Sequence, residues 1–514
     1  MKKIVGSALG AVVVLGVLST AGAWYTGQQL PVVLETSIKQ ANEDMGKTLP
    51  ALGLSATIEL VSLERQLFSS NARYRIQFAG SLDGESPSNF EWFVTDHIEH
   101  GPFPLSRLQA LKLLPVMATS NYALERSPEL EKWFASSQGG APLQGQVSIG
   151  YDRSMSGNLR VQPLQMALDE QTQIDFSGLQ IDFDSSANVE AISANGVMDS
   201  FKVTSTLSTD ESMRLEFKGM DLTSNSRKGV SDFYLGQNEV HLQQIELQVG
   251  ENAPILFKDF VQRDETSEAN QQLSARYSYD IGMVSYQGTD IGSSQMLWTV
   301  KNLDAAALKS MIELYGTLLQ SGKVDTESGM PELTDAQTAQ FKIDLEKLLA
   351  GKPGLALEKL AFKTANGESS FSFGLDLDKP VSFDLPAPEL AKQLIAQLDA
   401  KLLVAKAMIA DVIGVQATLA GETDKEAIAQ QAAMVGEMAS GMAVASELAV
   451  VQGQDISSSL HYANDQVTFN GKQMTVEQFV ALAMSSGGGL AGMAPETPAE
   501  EMLLDESEAQ SPIQ

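Results

Sequence analysis

Apolar and polar residues alternate along much of the first 300 residues. The alternation is clear in 57–64 and 73–78, and 90–94 is a third segment of the same kind. Because successive side chains of a strand point to opposite faces, this pattern predicts half-buried strands of one antiparallel sheet. The alternation returns between about 143 and 300, so strands are predicted to dominate the first part of the chain.

One spacing recurs inside this β-rich part. Four apolar positions are arranged as apolar-x-apolar-x-x-apolar-x-apolar, and the arrangement returns 41 residues later and again 83 residues after that. Its members are Ile174, Phe176, Leu179 and Ile181, then Leu215, Phe217, Met220 and Leu222, then Trp298, Val300, Leu303 and Ala305, with a partial copy at Ile255, Phe257 and Phe260. A period near 41 would mean stacked hairpins that cover each other's edges. Such loosely defined positions also recur by chance in a β-rich chain, so a true repeat and a coincidence both stay open.

The apolar period changes to that of a helix after Leu303. Asp304 and Thr334 have the side chains that cap helices, and each precedes a segment with helical periodicity. Strands are predicted again at 356–362 and 370–377, on either side of the Asn366-Gly367 turn.

Two further segments are predicted to be helical from their composition. The first is 389–413, rich in Ala, Leu and Lys, and the second is 423–451, rich in Ala, Met and Glu. On the second helix Met434, Met438 and Met442 share a face, which is either a stripe of the core or a permissive hydrophobic binding face.

The first 34 residues indicate a membrane span. Ile4 to Tyr25 is a run of 22 uncharged residues, about 33 Å long as a helix, and a hydrocarbon core is about 30 Å thick. Lys2 and Lys3 precede this run, so the positive-inside rule sends the residues after Leu34 across the membrane. The predicted anchor residues are Ile4, Val12, Val13, Val14, Leu15 and Leu18, with Trp24 and Tyr25 at the outer interface.

A cleaved secretory signal is the alternative for the same residues. Ala21-Gly22-Ala23 has the small-x-small form of a cleavage site and follows an apolar core from Ile4 to Leu18. Retention of the span is favoured by the aromatic pair after this site and by the apolar residues 30–34. Both interpretations export the chain.

Composition restricts the partners and the chemistry. The net charge is -30, from 65 acidic and 35 basic residues, so nucleic acid would be repelled. The chain contains no cysteine, which excludes disulfides, thiolate metal sites and cysteine nucleophiles. The last segment, 485–514, carries only acidic charges among Pro, Ala, Ser and Gly and is predicted to be a disordered tail.

No motif in the sequence specifies a reaction. His97 and His100 are the only close histidine pair, but they would point to opposite sides of a strand, and no third metal ligand is indicated. The Gly-x-Ser-x-Gly signature of serine hydrolases is absent. We therefore predict no catalytic residue, cofactor or metal. The alternative is an envelope hydrolase in which His100 works with Asp96 or Glu99 as general acid or base.

Three short motifs, in order along the chain, resemble the YdgA-like family of Gram-negative bacteria. They are Trp24-Tyr25-Thr26-Gly27 after the apolar segment, the corner His100-Gly101-Pro102-Phe103-Pro104, and the segment from His461 to Lys472 that ends in Asn470-Gly471-Lys472. The resemblance covers nearly the whole chain except the acidic tail. It implies a periplasmic protein anchored in the inner membrane, with no catalytic residue to transfer and with structural roles for the motif residues. It also leaves open a strand near 401–405, inside the segment whose composition predicts a helix.

These observations predict an α+β protein that is mainly antiparallel β, with an elongated twisted sheet and inserted helices after an N-terminal transmembrane helix. The predicted parts are the anchor (1–34), a β-rich periplasmic region (35–302), an α+β periplasmic region (303–484) and the tail (485–514). The predicted function is non-enzymatic: binding or scaffolding of a hydrophobic, lipid-like or polypeptide partner on an extended β surface. A homo-oligomer could form through exposed sheet edges or through Ala11, Gly16 and Gly22 of the anchor.

Overall fold

The chain forms two compact units, which are described separately. The computed structural model describes residues 30–49, 54–66, 68–80, 88–101, 103–137, 140–167, 171–206, 212–320, 333–422, 424–453 and 455–490. The first unit comprises Met1–Thr364 and Gly374–Ile395, and the second comprises Ala365–Phe373 and Ala396–Gln514. The boundary predicted between residues 302 and 303 falls inside the first unit. The predicted anchor residues from Ile4 to Tyr25 lie outside the described residues.

The first unit starts with helix α1 (Leu30–Thr48), which runs back along strand β1 (Leu54–Arg65) after a short connection. The Asn42 amide donates to the Ile58 carbonyl (3.0 Å) and accepts from the Ile58 N–H (2.8 Å). Asn42 therefore satisfies the backbone of β1 on the side away from its strand partner, β2, which protects an edge of the sheet.

A meander of short strands follows and surrounds the main core. Its elements are β2 (Ser69–Gly80), β3 (Ser88–His100), helix α2 (Leu105–Gln109), β4 (Ala118–Leu124), helix α3 (Glu131–Ser136), β5 (Leu143–Ile149) and β6 (Met155–Val161). Each strand from β1 to β6 pairs antiparallel with the next. The buried core cluster of the described residues extends from Leu34 on α1 to Ile181, which follows β6. The sheet predicted from the alternation in 57–64, 73–78 and 90–94 is confirmed.

Strand β6 and the next three strands form two long antiparallel strands, each of which is interrupted once. Strands β7 (Leu164–Ala167) and β8 (Thr172–Phe176) pair with each other, while β6 pairs with β9 (Leu179–Ser185). Strand β7 thus continues β6 after Pro163, which has no N–H to donate, and β9 continues β8 after Gly178, which has a φ of 103°. The meander therefore continues without a crossover.

The largest part of the first unit is a row of long antiparallel strands. They are β10 (Ala191–Thr206), β11 (Ser212–Lys228), β12 (Tyr234–Val249), β13 (Ile255–Ala269), β14 (Gln272–Tyr286) and β15 (Thr289–Asp304). Strand β10 pairs with both β8 and β9, each later strand pairs with the one before it, and β16 (Gly354–Lys363) pairs with β15. The prediction of a mainly antiparallel β protein with inserted helices is confirmed.

The helices after Leu303 begin at the predicted caps. In α4 (Ala305–Gln320) the Asp304 carboxylate accepts the Ala307 N–H at 2.8 Å. In α5 (Asp335–Ala350) the Thr334 hydroxyl and the Gln337 side chain form a reciprocal capping box. Strand β17 (Glu368–Leu377) follows β16, so both strands around Asn366-Gly367 are confirmed.

The predicted helix 389–413 is wrong in its middle. Helix α6 (Ala387–Leu394) ends where strand β18 (Ile395–Ala405) begins, and helix α7 (Lys406–Leu419) follows. In the second unit β18 pairs with β20 (Asp455–Ala463), so tertiary strand pairing overrides the helical propensity of Ala, Leu and Lys. The strand near 401–405 that the family resemblance left open is present.

The rest of the second unit is a small α+β structure. Its elements are α8 (Lys425–Ala445), β19 (Val450–Gln452), β21 (Gln466–Phe469), β22 (Lys472–Thr475) and α9 (Val476–Leu490). Met434, Met438 and Met442 are exposed on α8, while Ala432, Gly436 and Ser440 are buried, so the core-stripe interpretation of the methionines is wrong. Helix α9 includes the first six residues of the predicted tail, 485–490, and residues 491–514 lie outside the described residues.

Candidate functional site

The long strands of the first unit carry apolar side chains in rows that cross the sheet. One row, here called the phenylalanine row, joins directly paired residues from β8 to β14: Phe176, Phe201, Phe217, Ile245, Phe257 and Val284. Directly opposed residues lie on the same face of a sheet. The rings of Phe176 and Phe201 are 6.1 Å apart between centroids, and those of Phe201 and Phe217 are 6.4 Å apart.

A second row lies two residues away and therefore on the same face. Its members are Ile174, Val203, Leu215, Leu247, Ile255 and Tyr286. Together with the phenylalanine row it forms a continuous apolar band across β8 and β10–β14, here called the apolar band. Most of its side chains are only partly buried, and Ile255 is 36% exposed. The band is thus a surface on which further apolar groups could pack.

Two more apolar rows lie beyond an irregularity in the strands. One of these rows contains the opposed pair Met198 and Met220, three residues from the phenylalanine row. The other contains the opposed pair Leu222 and Val240, five residues from it. Between the two sets, Gly178, Gly219 and Asp259 have φ values of 103°, 61° and 52° on every second strand. A residue in the left-handed region interrupts the regular pleat. This is where the x-x pair of the recurring spacing falls.

The 41-residue spacing therefore corresponds to one hairpin of the sheet. Leu215 and Ile255 are both opposed to Leu247, and Ile174 and Leu215 are both opposed to Val203, so these three copies occupy equivalent registers. The fourth copy differs, because Trp298 is opposed to Tyr277 rather than to Tyr286. Three copies are structural repeats in one register; the fourth also has a left-handed residue at its x-x pair, Asn302 with a φ of 62°, but it lies in a different register.

An open cavity of about 620 Å³ lies at one end of the apolar band. Asn252 is its polar lining residue, and most of its wall consists of apolar side chains at the ends of β12, β13 and β14: Leu247, Val249, Ile255, Phe257, Val284 and Tyr286. Ligand pockets that hold small molecules are typically about 300–1,000 Å³ and mostly apolar. The cavity is therefore large enough for an alkyl chain.

The opposite face of the same strands is charged. Glu246 accepts hydrogen bonds from the Arg214 guanidinium and from the Lys218 ammonium, the latter at 3.5 Å. Burial alone would raise the pKa of Glu246, but these two cations outweigh it and hold the pKa below its ordinary value. The two faces thus differ in chemistry, and the apolar band is the one suited to a hydrophobic ligand.

The predicted corner at His100 is a fixed structural element. The His100 N–H donates to the Phe68 carbonyl at 2.8 Å, and its ring Nε2 lies 3.1 Å from the Ser70 hydroxyl on β2. The Gly101 N–H donates to the Met117 carbonyl at 2.7 Å, and a Cβ at Gly101 would overlap the Val116 and Met117 carbonyl oxygens. Only glycine fits there.

The rest of the corner leads into a short helix. Pro104 is buried and precedes α2, whereas Phe103 is 55% exposed. Pro102 lies outside the described residues.

The acids beside His100 do not form a catalytic group with it. Glu99 accepts hydrogen bonds from the Ser106 N–H (3.0 Å) and hydroxyl. Asp96 is 1% exposed, and its Oδ1 accepts from the Ser120 hydroxyl at 2.7 Å. Because Asp96 and His100 are both buried, a substrate has no access to them, and no observation supports the hydrolase alternative.

Asp96 is a buried carboxyl group, which is uncommon in proteins. The sequence pattern did not predict its burial. Its Oδ2 and the Tyr74 hydroxyl are both buried and do not meet hydrogen-bond geometry with any group. Burial raises the pKa of Asp96 to about 7, although the Ser120 hydroxyl, the Asn121 backbone and the neighbouring Tyr74 hydroxyl act in the opposite direction. The alternation in 90–94 could have revealed its burial if it had been extended through Asp96 to Ile98.

The third family motif is a hairpin turn in the second unit. Asn470 and Gly471 both have positive φ, 48° and 79°, as a type I′ turn requires, and Lys472 opens β22. The Asn470 side chain accepts from the Ser459 N–H (2.8 Å) and donates to the Leu448 carbonyl (3.2 Å). Near it, His461 Nδ1 lies 2.7 Å from an Asp399 carboxylate oxygen.

Within the ranges that the structure describes, no three histidine or carboxylate side chains are grouped closely enough to hold a metal ion. His97 is exposed and its Nδ1 contacts Asn71, whereas His100 is buried, so the two rings lie on opposite sides of β3 as expected. No helix in the same ranges is both long and apolar enough to cross a membrane.

The recurring spacing identified the residues of the apolar band on β8, β11 and β13, but not those on the alternate strands β10, β12 and β14. Residues 240, 242, 245 and 247 of β12, and 279, 281, 284 and 286 of β14, follow the same apolar-x-apolar-x-x-apolar-x-apolar spacing. The signal at half the hairpin period was thus present in the sequence. It would have strengthened the repeat interpretation considerably.

Comparisons with known proteins identify the family of the chain. Residues 1–477 match the model of the family described as "Bacterial protein of unknown function (DUF945)". The chain is 26% identical over 485 residues to Protein YdgA of Escherichia coli (strain K12), covering 92% of this chain and 95% of that protein. It is 21% identical over 488 residues to the uncharacterized protein YihF of the same strain, covering 93% and 98%. The predicted resemblance to YdgA is confirmed, and the chain belongs to the DUF945 family of bacterial proteins.

Proposed function

We propose that this protein is a non-enzymatic component of the bacterial cell envelope that holds a hydrophobic ligand on its apolar band. Residues Ile4–Tyr25 anchor it in the inner membrane as a single span, and the chain after Leu34 lies in the periplasm. The length of the uncharged run, the two lysines before it and the aromatic pair after it support this location.

The apolar band carries the proposal for the ligand. It contains two adjacent rows of partly buried apolar side chains that end at the cavity of about 620 Å³. Strands β11–β13 are hydrogen-bonded to a neighbour on both sides, so the band offers side chains and no unpaired backbone. A peptide laid on it would bury its own polar backbone without partners, whereas an alkyl chain has none to satisfy. A lipid-like ligand therefore fits better than a polypeptide.

The test uses the full chain in intact cells that have incorporated a photoactivatable fatty acid. After irradiation, the protein is purified and the labelled peptides are identified by mass spectrometry. We expect label on peptides that contain Ile255 and Tyr286 as well as on the anchor. Label confined to residues 1–34, or crosslinks to a protein in place of lipid, would overturn the lipid-like ligand.

Two neighbouring residues provide a matched pair of variants. Ile255 lies in the cavity, whereas Leu256 lies on the charged face, where it is opposed to Glu246. The variant Ile255→Lys should lose the label on β13 and β14, because an ammonium group is poorly solvated among alkyl chains. The variant Leu256→Lys should keep it. Equal labelling of both variants would contradict binding in the cavity.

The location is tested separately by the intact mass of the mature protein. The complete chain has a mass of 55.2 kDa. A mass that lacks residues 1–23 would show cleavage after Ala23 and would overturn the tethered form.

A further inference from the structure

A cluster of large apolar side chains is exposed at one end of the first sheet. Its members are Phe68, Phe103, Leu105, Leu111, Leu113 and Leu114, here called the leucine patch. Leu111 is 83% exposed, Leu114 is 78% exposed and Phe68 is 76% exposed. Contiguous exposed apolar groups on a protein surface mark contacts with proteins or membranes.

The contacts of β3 bring the members of the patch to the same end of the sheet. Phe68 lies just before β2, and its carbonyl accepts the N–H of His100, the last residue of β3. The segment 103–114 follows β3 directly. It is tied down at Gly101, which donates to Met117, and at Arg107, whose guanidinium donates to the Leu114 carbonyl at 3.3 Å.

Helix α1 begins at this end as well. Asn42 is level with Ile58, and Leu30 lies twelve residues earlier on the helix, about 18 Å along its axis at about 1.5 Å per residue. The same distance along β1, at about 3.3 Å per residue, reaches the residues just before Arg65, where β1 ends. The start of α1 and the leucine patch are therefore at the same end of the sheet.

The chain that precedes α1 links this end to the proposed span. Leu30 follows Tyr25 by five residues, so their Cα atoms are at most about 18 Å apart. Since Tyr25 is the proposed outer interface residue, the end of the sheet that carries the leucine patch must be held close to the membrane surface. This step rests on the proposed function.

Charge points to the same partner. No Asp or Glu occurs between Glu99 and Glu125, in a chain with 65 acidic residues, and of the two cations in this stretch Arg107 is buried and Lys112 is at the surface. Lys112 is exposed between Leu111 and Leu113. Apolar side chains next to cations are typical of segments that lie at the surface of anionic bilayers.

Leu111 adds an apolar side chain to the leucine patch although its backbone is in the unfavourable left-handed conformation. Helix α2 ends in a Schellman motif, in which the Leu111 N–H bonds the Leu108 carbonyl and the Lys112 N–H bonds the Arg107 carbonyl. The residue at the left-handed position of this motif is usually glycine, but here it is Leu111, with a φ of 56°. A strained residue with an exposed leucine side chain points to a function for that side chain.

We propose that the leucine patch docks on the membrane into which the N-terminal span is inserted, with its apolar side chains at the boundary between lipid headgroups and acyl chains. The protein thus contacts the bilayer at two places, through the span and through the leucine patch. Docking fixes the orientation of the first sheet relative to the membrane, which a single span with a short connection does not.

The experiment uses the full chain in vesicles of phosphatidylethanolamine and anionic phosphatidylglycerol that carry a nitroxide lipid. The protein contains no cysteine, so Leu114→Cys gives a single site for a fluorescent label. The matched control is Val197→Cys, because Val197 is also exposed (51%) but lies on β10 opposite Asp221. We expect the nitroxide lipid to quench the label at 114 and to leave the label at 197 unchanged.

A further variant separates docking from folding. In the Leu114→Cys background, Leu111→Gly with Leu113→Ser should lower the equilibrium constant for docking by about tenfold or more for each leucine removed, and quenching should fall accordingly. Glycine suits the left-handed position, so thermal unfolding should occur at the same or a higher temperature.

The possible failures are distinguishable. Protein that floats with the vesicles, but whose label at 114 is quenched no more than the label at 197, overturns docking and leaves the span intact. Protein that does not float with the vesicles overturns the span and docking together.

Discussion

Replacement of Asp96 by asparagine should stabilise the first unit at neutral pH and leave its stability nearly unchanged in acid. The carboxyl is 1% exposed and has one accepted side-chain hydrogen bond, from Ser120, while its Oδ2 has no partner at hydrogen-bond geometry. Asparagine has the same shape and keeps an oxygen for the Ser120 hydroxyl. It also removes the need to bury a charge.

The magnitude follows from linkage between protonation and folding. Burial raises the pKa of Asp96 from 3.8 to about 7. Below about pH 4 the carboxyl is protonated in both states, and its contribution to stability is fully present. As the pH rises from about 4 to 7, the unfolded chain releases the proton and the folded chain retains it, so the free energy of unfolding falls. The total loss is about three pKa units at about 1.4 kcal/mol each, or about 4 kcal/mol as an upper limit.

The assay is denaturant unfolding of the full chain in detergent micelles at several pH values between 4 and 8. Tryptophan fluorescence reports on this region, because Trp92 and Trp133 lie 6.3 Å apart between ring centroids beside the core. The wild type should lose stability across this range, and Asp96→Asn should lose much less. Asp378→Asn is a control of opposite sign, because Lys352 holds the pKa of Asp378 below its ordinary value. Parallel curves for the wild type and Asp96→Asn would refute the reasoning.

Four other substitutions, the first with a control substitution, test particular contacts by thermal unfolding. Gly101→Ala should destabilise by about 3 kcal/mol, because its Cβ would overlap two carbonyl oxygens, whereas a Cβ added at Gly46 on α1 would meet no heavy atom within 4 Å outside the helix backbone, so Gly46→Ala should be neutral or stabilising. Leu111→Gly should stabilise by about 1 kcal/mol by relieving a left-handed leucine, and a loss of stability would show that its side chain is packed. Asn470→Ala should cost about 1–2 kcal/mol, since it leaves the Ser459 N–H and the Leu448 carbonyl without this partner; an unchanged melting temperature would mean that water replaces it. Glu246→Gln should cost about 1–3 kcal/mol by weakening its bonds to Arg214 and Lys218, and this loss should disappear in acid, where the carboxylate of the wild type is protonated.

The fold could be predicted from the sequence wherever local pattern and tertiary structure agree. Alternation identified the first three strands of the meander, and Asp304 and Thr334 identified the helix starts, because capping is a contact between residues close in sequence. The segment 389–413 failed for the opposite reason. Its composition favours a helix, but the pairing of β18 with β20, whose opposed residues are about 50 to 65 positions apart, makes its middle a strand.

The candidate site could be predicted in part. The recurring spacing identified three strands of the apolar band, but their equivalence needed the register of the strands between them. The burial of Asp96 was missed, and the sequence left open whether Met434, Met438 and Met442 are buried or exposed, because the same residue types occur on buried and on exposed faces.

The sequence by itself determined that this is a mainly antiparallel β protein of the DUF945 family, and it predicts a membrane span at residues 4–25. The strands and the span follow from periodicity, charge and length, whereas the family follows from short motifs and sequence similarity along the chain. All of these are local or additive along the chain. Only the tertiary structure decided that three of the four spaced copies share one register, that the corner at His100 leads into an exposed leucine patch, and that this patch lies at the end where α1 begins. These facts depend on which strands pair and in what register, and pairing brings together residues that are distant in the sequence.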